Sequence, residues 1–209
     1  LNFSKYLNKN FYSFDTLLAE NFYQIEDLES AKKTYQKLRK HGNAFEWYSN
    51  KQISIILIKE KRKDDAIKLY TNSFNNLPSK GIYETYDYAE FLKNNEKFKE
   101  SIIYYNKVID KVKKSHPLYI ESTDGRGIAY ERIGEWEKAE RDLLASLEAD
   151  PNQAYVLNYL AYSWIEQGVK IEKSLNMLDK ANRLRSNDPY ITDSLGWALF
   201  KLKRYKESK

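Results

Sequence analysis

The chain has 209 residues, of which 42% are hydrophobic and 15% aromatic, enough for a sizeable core in one or two domains. Its 7 glycines and 4 prolines are few for tight turns, which favours a mostly helical fold over a β-sandwich. Cysteine is absent, which excludes disulfides, thiolate metal sites and cysteine nucleophiles. The longest apolar run, at 53–58, is far shorter than the roughly 18 residues of a membrane span, so no membrane-spanning segment is predicted.

The net charge of +5 arises in the N-terminal part of the chain. Residues 1–119 carry 21 Lys and Arg against 15 Asp and Glu, whereas residues 120–209 carry 14 against 15. The densest basic stretch, AKKTYQKLRK at 31–40, spreads its charges around a helix. This pattern favours a solvated helix face over a nucleic-acid site.

A sequence pattern with a period of about 34 residues runs along the chain. In each unit a small residue is followed by a large apolar residue, then by Ala or Ser, and then by two further core positions. The matching series are Ala19, Phe22, Ala31, Tyr35 and Leu38; Ser54, Leu57, Ala66, Tyr70 and Ser73; Ala89, Leu92, Ser101, Tyr105 and Val108; Gly127, Tyr130, Ala139, Leu143 and Ser146; and Ala161, Trp164, Ser174, Leu178 and Ala181.

The repeat divides the chain into predicted elements in order. Residues 1–11 are predicted to be the end of a preceding helix or an N-terminal cap. Two apolar helical stretches separated by a polar turn predict one αα-hairpin per unit. Asp188 is predicted to cap the last helix, with Pro189 in its first turn. The predicted units are 12–46, 47–81, 82–119, 120–153, 154–188 and a partial sixth at 189–209.

This period, with its order of small residue, aromatic, Ala, aromatic, Ala and Pro, resembles the tetratricopeptide repeat (TPR) family over nearly the whole chain. The resemblance implies an all-α fold, a right-handed superhelical α-solenoid of stacked antiparallel helix pairs whose first helices line a concave groove. The last units, VLNYLAYSWIEQG and DSLGWALFKLKRYKES, resemble terminal repeats of larger bacterial multi-TPR proteins, some of them exported or lipid-anchored. Continuation beyond Lys209 is predicted. Cytoplasm and periplasm both stay open, since a targeting signal would lie upstream of Leu1.

In the TPR frame, the second, fifth, ninth and twelfth positions of each first helix face the groove. The frame predicts a peptide-binding groove formed by Tyr83, Tyr86, Glu90, Glu121, Asp124, Tyr155, Asn158, Tyr162, Tyr190, Asp193 and Trp197. It adds Ile128, Glu131, Ile165 and Phe200, and in the first two units Ser13, Thr16, Glu20, Tyr23, Tyr48, Lys51, Ile55 and Ile58. Aromatic rings with carboxylates suit a segment that carries basic and apolar anchor residues. Packing against the adjacent repeat is an equally good interpretation of any single tyrosine.

Patterns for catalysis or cofactor binding are missing from the sequence. His41 and His116 are predicted to lie in separate loops, and Tyr130 stands where a dinucleotide fingerprint beginning at Gly125 needs a third glycine. The sequence therefore predicts no enzyme, no metal site and no cofactor. It also departs from the carboxylate clamp of cochaperone TPR domains, because Ile55 replaces the expected Asn.

The sequence thus predicts a non-catalytic protein interaction scaffold. One alternative is a helical-repeat RNA-binding protein, which the basic N-terminal half favours and the predicted acidic groove opposes. Another is a self-assembling structural module. Because Trp197 and Phe200 are predicted to face outward, the sequence also predicts a homodimer through the C-terminal repeat.

Overall fold

The computed structural model describes residues 12–208, which form eleven α-helices and contain no β-strand. The helices are α1 Ser13–Gln24, α2 Leu28–Leu38, α3 Asn43–Lys59, α4 Lys63–Asn75, α5 Ile82–Asn94, α6 Phe98–Ile109, α7 Pro117–Arg132, α8 Trp136–Ala149, α9 Ala154–Gln167, α10 Ile171–Leu184 and α11 Pro189–Lys201. A 3-10 turn, Arg39–His41, follows α2.

The chain divides into two compact units between Glu96 and Lys97. No helix within 12–208 is long and apolar enough to cross a membrane. The predicted N-terminal cap at 1–11 lies outside the described residues.

In the first unit, each helix from α1 to α4 packs against the next one in the chain, up to α5. Aromatic rings fill the core around Tyr70, which is fully buried. The ring of Trp47 stacks on that of Tyr70 at 4.6 Å between centroids, and the ring of Phe91 meets it edge-on at 4.6 Å. Phe74 and Tyr88 stack at 4.3 Å. Burial of these large rings stabilises the unit and fixes the positions of α3, α4 and α5.

The second unit contains helices α6 to α11, and each again packs against the next. Helix α9 also contacts α11 directly. Three buried clusters tie these helices together: Leu143, Leu160 and Trp164; Ala161, Ile165, Leu178 and Ala198; and Ala154, Leu157, Ala181 and Ile191. Apolar positions at helical spacing therefore face neighbouring helices on more than one side, as a stacked hairpin requires.

Small residues bring the two helices of a hairpin close together, as predicted for Gly127 and Ala139. A Cβ atom at Gly127 would lie 3.0 Å from Leu143 Cγ and 3.3 Å from the Ala139 carbonyl oxygen. The equivalent pair near the C-terminus is Gly196 and Ser208, where the corresponding distance to the Ser208 carbonyl oxygen is 3.5 Å. The approach is therefore tight in the fourth predicted unit, and the equivalent position of the sixth has an ordinary van der Waals contact.

The backbone repeats with the period of the sequence. A residue with positive φ follows the first helix of every predicted unit, namely Glu26, Lys61, Glu96, Gly134, Gly168 and Lys203. The differences between their residue numbers are 35, 35, 38, 34 and 35. Each holds the fifteenth position of its predicted unit, so backbone conformation and side-chain pattern share one register.

Helix starts depart from the predicted unit starts by more than one residue at two places. Helix α3 begins at Asn43, before residue 47, because Gly42, with φ of 112°, ends the preceding 3-10 turn there. Helix α7 begins at Pro117, before residue 120, where the His116 ring Nδ1 accepts a hydrogen bond from the Leu118 amide at 3.1 Å. The predicted cap of α11 is confirmed, since the Asp188 carboxylate accepts from the Tyr190 and Ile191 amides.

Candidate functional site

Eight of the eleven predicted groove residues belong to the second unit. Helix α7 carries Glu121 and Asp124, α9 carries Tyr155, Asn158 and Tyr162, and α11 carries Tyr190, Asp193 and Trp197. None of the eight is buried, and Tyr190 is 78% exposed. Helical spacing keeps each set on one face of its helix, and the opposite faces of α9 and α11 supply the core.

A cavity of about 1080 Å³ lies along α9 and α11. It brings together three of the predicted residues, Tyr162, Asp193 and Trp197, with Phe200 beside them. The remaining lining residues are Asn187, Pro189, Thr192, Gly196 and Ser208. Sequence reasoning missed Asn187 and Thr192, because one lies in the turn before α11 and the other falls between the predicted inward positions. The cavity combines aromatic surface with one exposed carboxylate.

Contacts within the unit fix the indole of Trp197. Its Nε1 donates to a Glu166 carboxylate oxygen at 2.6 Å, and the Lys201 ammonium lies 5.0 Å from the ring centroid. The Phe200 ring is nearly parallel to the indole, with 5.7 Å between centroids, and Tyr205 lies 5.5 Å from Phe200. The indole is therefore held in place while 37% of the residue stays exposed. A ring held this way loses little rotamer freedom when it binds a ligand.

Tyr155 contacts the end of its own predicted repeat through its hydroxyl, including the residue that caps α11. The hydroxyl donates to Asp188 at 2.8 Å and accepts from the Arg185 guanidinium at 3.3 Å, while the guanidinium lies 4.7 Å from the ring centroid. The hydrogen bond to Asp188 raises the pKa of Tyr155, and the same bond lowers the pKa of the Asp188 carboxyl. Tyr155 thus has a structural partner in addition to its exposed ring edge.

The other three predicted residues, Tyr83, Tyr86 and Glu90, lie on α5 in the first unit. Tyr83 is exposed, whereas Tyr86 and Glu90 are half-buried. Glu90 binds the Lys93 ammonium at 2.8 Å. This carboxylate is therefore already neutralised by a neighbour on its own helix.

A second cavity, of about 420 Å³, lies between α1 and α3 in the first unit. Glu20, Tyr23 and Tyr48, which the TPR frame predicts for the groove, line this cavity together with Asn21, Gln24, Tyr35 and Gln52. The Tyr48 hydroxyl donates to Glu20. Burial, followed by this hydrogen bond, raises the pKa of Tyr48, and burial raises the pKa of Tyr35 to about 12. Both phenols therefore stay protonated at physiological pH.

The prediction for Ile165 is wrong. Its side chain is only 5% exposed and packs with Ala161, Leu178 and Ala198. The twelfth position of α9 therefore belongs to the core, because α11 packs on that side of the helix.

Two charged groove positions pair with neighbouring helices. Glu131 accepts a hydrogen bond from the Tyr159 hydroxyl at 2.8 Å, and Lys51 binds the Asp87 carboxylate at 2.7 Å. Burial and the Glu131 contact raise the pKa of Tyr159. Part of the predicted polar lining thus joins adjacent repeats.

Within residues 12–208, no group of three or more His, Asp or Glu side chains has the arrangement of a metal site.

The architecture is similar to that of known proteins. No protein-family model matches the chain. A TPR repeat-containing protein of Pseudomonas aeruginosa is 25% identical over 142 residues, which are 68% of this chain and 23% of that protein. The crystal structure of a tetratricopeptide repeat protein from Parabacteroides merdae has a TM-score of 0.70 at 16% identity, covering 94% of this chain and 75% of that one.

The chain has the fold of a tetratricopeptide repeat protein. The predicted TPR resemblance and the all-α solenoid class are confirmed. YrrB, described as a TPR protein with an unusual peptide-binding site, has a TM-score of 0.56 at 17% identity, covering 91% of this chain and 94% of that one. The chain spans only 23% of its relative from Pseudomonas, consistent with the predicted resemblance to part of a larger bacterial TPR protein.

Proposed function

We propose that the chain is a non-catalytic scaffold that binds a segment of another protein along the α9 and α11 surface. The observation that carries this proposal is the cavity in which Tyr162, Asp193, Trp197 and Phe200 meet. Aromatic anchors in a concave site supply much of the binding energy in protein interfaces. The TPR fold commonly mediates contacts between proteins, which supports the same conclusion.

The lining of the cavity selects the chemistry of the bound segment. Trp197 and Phe200 provide apolar contact area, and Asp193 provides a negative charge in the lining. A Lys or Arg side chain gains from the carboxylate and from the face of an aromatic ring. The partner segment therefore carries at least one apolar anchor and one basic anchor.

Selection from a displayed random peptide library tests this proposal. We expect the enriched peptides to combine Lys or Arg with Leu, Phe or Trp. Trp197→Ala should weaken binding of an enriched peptide at least tenfold, in line with the loss of an aromatic hot spot. Isothermal titration calorimetry measures the dissociation constants, and thermal unfolding shows whether the variant is folded.

Leu184→Ala is the matched control, because Leu184 is exposed on α10 and does not line the cavity. It should leave peptide affinity unchanged. Equal losses in both variants, or enrichment of acidic peptides, would refute the proposed site. Selective binding of single-stranded RNA with a steep dependence on salt would favour the RNA-binding alternative instead.

We also propose self-association through the C-terminal repeat, where Trp197, Phe200 and Tyr205 form a half-exposed aromatic cluster. Light scattering coupled to size-exclusion chromatography should show a dimer at high protein concentration. Phe200→Ser should return the protein to a monomer. A monomer at every concentration would contradict self-association but would not contradict the proposed peptide binding.

A further inference from the structure

Helix α6 and the loop after it present a basic surface that peptide binding in the cavity does not use. Six lysines lie between residues 97 and 114, and the acidic residues in this range are Glu100 and Asp110. The lysines are Lys97, Lys99, Lys107, Lys111, Lys113 and Lys114, all exposed. The opposite face of α6 is buried through Ser101, Ile102, Tyr105 and Val108. The exposed surface therefore has a fixed orientation on the second unit.

Within the described part of the chain, the lysines of this surface are not neutralised by carboxylates. Among residues 12–208, no carboxylate forms an ion pair with any of the six. The Lys107 ammonium lies over the Tyr104 ring, 4.5 Å from its centroid. Their positive charge is thus directed at solvent, where it attracts an anionic partner.

One apolar side chain lies within the basic surface. Ile103 is 53% exposed and stands one turn from both Lys99 and Lys107 on the same helix face. Lysines that flank an exposed apolar residue are typical of helices that lie on a bilayer, where the apolar group enters the interface and the ammonium groups remain at the headgroups.

The residue types favour a lipid surface over nucleic acid. No arginine occurs between residues 97 and 114, so the bidentate fork that recognises individual phosphates is missing. The one aromatic residue on the exposed side, Tyr104, is half-buried and covered by Lys107, which removes a stacking platform for bases. Lysine ammonium groups act as point charges, which suits the diffuse negative potential of mixed headgroups.

We propose that the outer face of α6, with the loop to Lys114, binds an anionic membrane surface. Lysines at 99, 107 and 111 provide the attraction, and Ile103 enters the interface between them. The contact is peripheral and reversible, because it depends on a few charges and one aliphatic side chain. It lies on a different helix from the α9 and α11 cavity and does not depend on peptide binding.

Co-sedimentation with phospholipid vesicles tests the proposal. We expect binding to vesicles of phosphatidylglycerol and phosphatidylcholine in equal amounts, and little binding to phosphatidylcholine alone. Replacing Lys99, Lys107 and Lys111 together by Gln should lower the partition coefficient about 100-fold, since each lysine contributes roughly a fivefold factor. Ile103→Ser should lower it severalfold at unchanged charge.

The matched control replaces Lys68, Lys203 and Lys206 by Gln, which removes the same net charge from exposed positions outside this surface. It should bind anionic vesicles within about twofold of the unaltered protein if the surface rather than net charge is responsible. Circular dichroism melts confirm that each variant is folded. Equal loss in both triple variants, no binding to the anionic vesicles, or tighter binding of single-stranded RNA at the same salt concentration would overturn the proposal.

Discussion

Gly125 shows how a single residue controls helix packing in the second unit. A Cβ atom at this position would lie 2.4 Å from Tyr105 Oη and 2.5 Å from Cζ, and Tyr105 is fully buried. Since the ring has no space to move into, we expect Gly125→Ala to lower the free energy of unfolding by about 1–3 kcal/mol. Urea denaturation monitored by circular dichroism measures this change.

Gly81→Ala is the control for Gly125→Ala. A Cβ atom at Gly81 would also lie 2.4 Å from another atom, but that atom is Oε2 at the flexible end of Glu84. The carboxylate can turn away, so the change in unfolding free energy should stay within about 0.5 kcal/mol. Similar losses in the two variants would contradict a role for the buried ring.

At the scale of the helix, a non-glycine residue with positive φ after the first helix of a repeat lowers the stability of the fold. Substitution by glycine removes this conformational cost. Lys61 has φ of 63° and is exposed between α3 and α4. A side chain in this conformation costs about 1–2 kcal/mol, partly offset by the greater freedom of glycine in the unfolded chain. Lys61→Gly should therefore raise the free energy of unfolding by about 0.5–1 kcal/mol. Lys68→Gly, inside α4, should lower it by about 1 kcal/mol, and thermal unfolding that gave both the same sign would refute this account.

A buried ion pair joins three helices of the second unit. The Arg126 guanidinium on α7 donates to both oxygens of Asp142 on α8, at 2.6 and 2.9 Å, and to Asn106 Oδ1 on α6 at 2.6 Å. The Asp142 side chain is almost completely buried. Asp142→Ala leaves the guanidinium without its carboxylate, so we expect a loss of about 3–5 kcal/mol in unfolding free energy.

The double variant Arg126→Met, Asp142→Leu distinguishes the contribution of the ion pair from the cost of leaving a buried charge unpaired. With both charges removed and apolar volume restored, most of the stability should return. Denaturant unfolding of the two variants gives the comparison. A double variant as unstable as Asp142→Ala would show that the ion pair itself, rather than the unpaired charge, determines the loss.

For the molecule as a whole, the repeat architecture is predictable from sequence because one local pattern is used several times. The spacing of Gly127, Ala139 and Leu143 specifies a close helix contact, and the same spacing recurs along the chain. Helix starts are less predictable. The early start of α3 depends on the conformation of Gly42, and the start of α7 depends on a ring nitrogen of His116 acting as the cap.

The candidate site is predictable only in part. The position of a residue on a helix gives the direction of its side chain but not the residues that the side chain contacts. The frame predicts Tyr162, Asp193 and Trp197 for the groove, and all three are exposed and line one cavity. It does not reveal that Ile165 is covered by α11 packing or that the Trp197 indole binds Glu166. Such contacts depend on side chains more than 30 residues apart, whose meeting follows from the stacking of repeats rather than from any local pattern.

Buried tyrosines make stability sensitive to alkaline pH. Burial raises the pKa of Tyr70 in the fold above the unfolded value of 10, and it raises that of Tyr35 to about 12. Their contribution to stability is therefore complete below pH 10 and is lost as the pH rises through the folded values, since the unfolded chain then releases protons that the folded chain retains. We expect the free energy of unfolding from urea titrations to fall steadily above pH 10.

Tyr70→Phe should make this fall less steep, by at most about 1.4 kcal/mol per pH unit. Near neutral pH it should leave stability unchanged or raise it slightly, because the buried Tyr70 hydroxyl has no hydrogen-bond partner within the described residues. Phe74→Leu is the control from the same cluster; it removes packing without an ionisable group and should lower stability equally at every pH. If the Tyr70→Phe protein kept the original slope above pH 10, alkaline unfolding would have to begin at other groups.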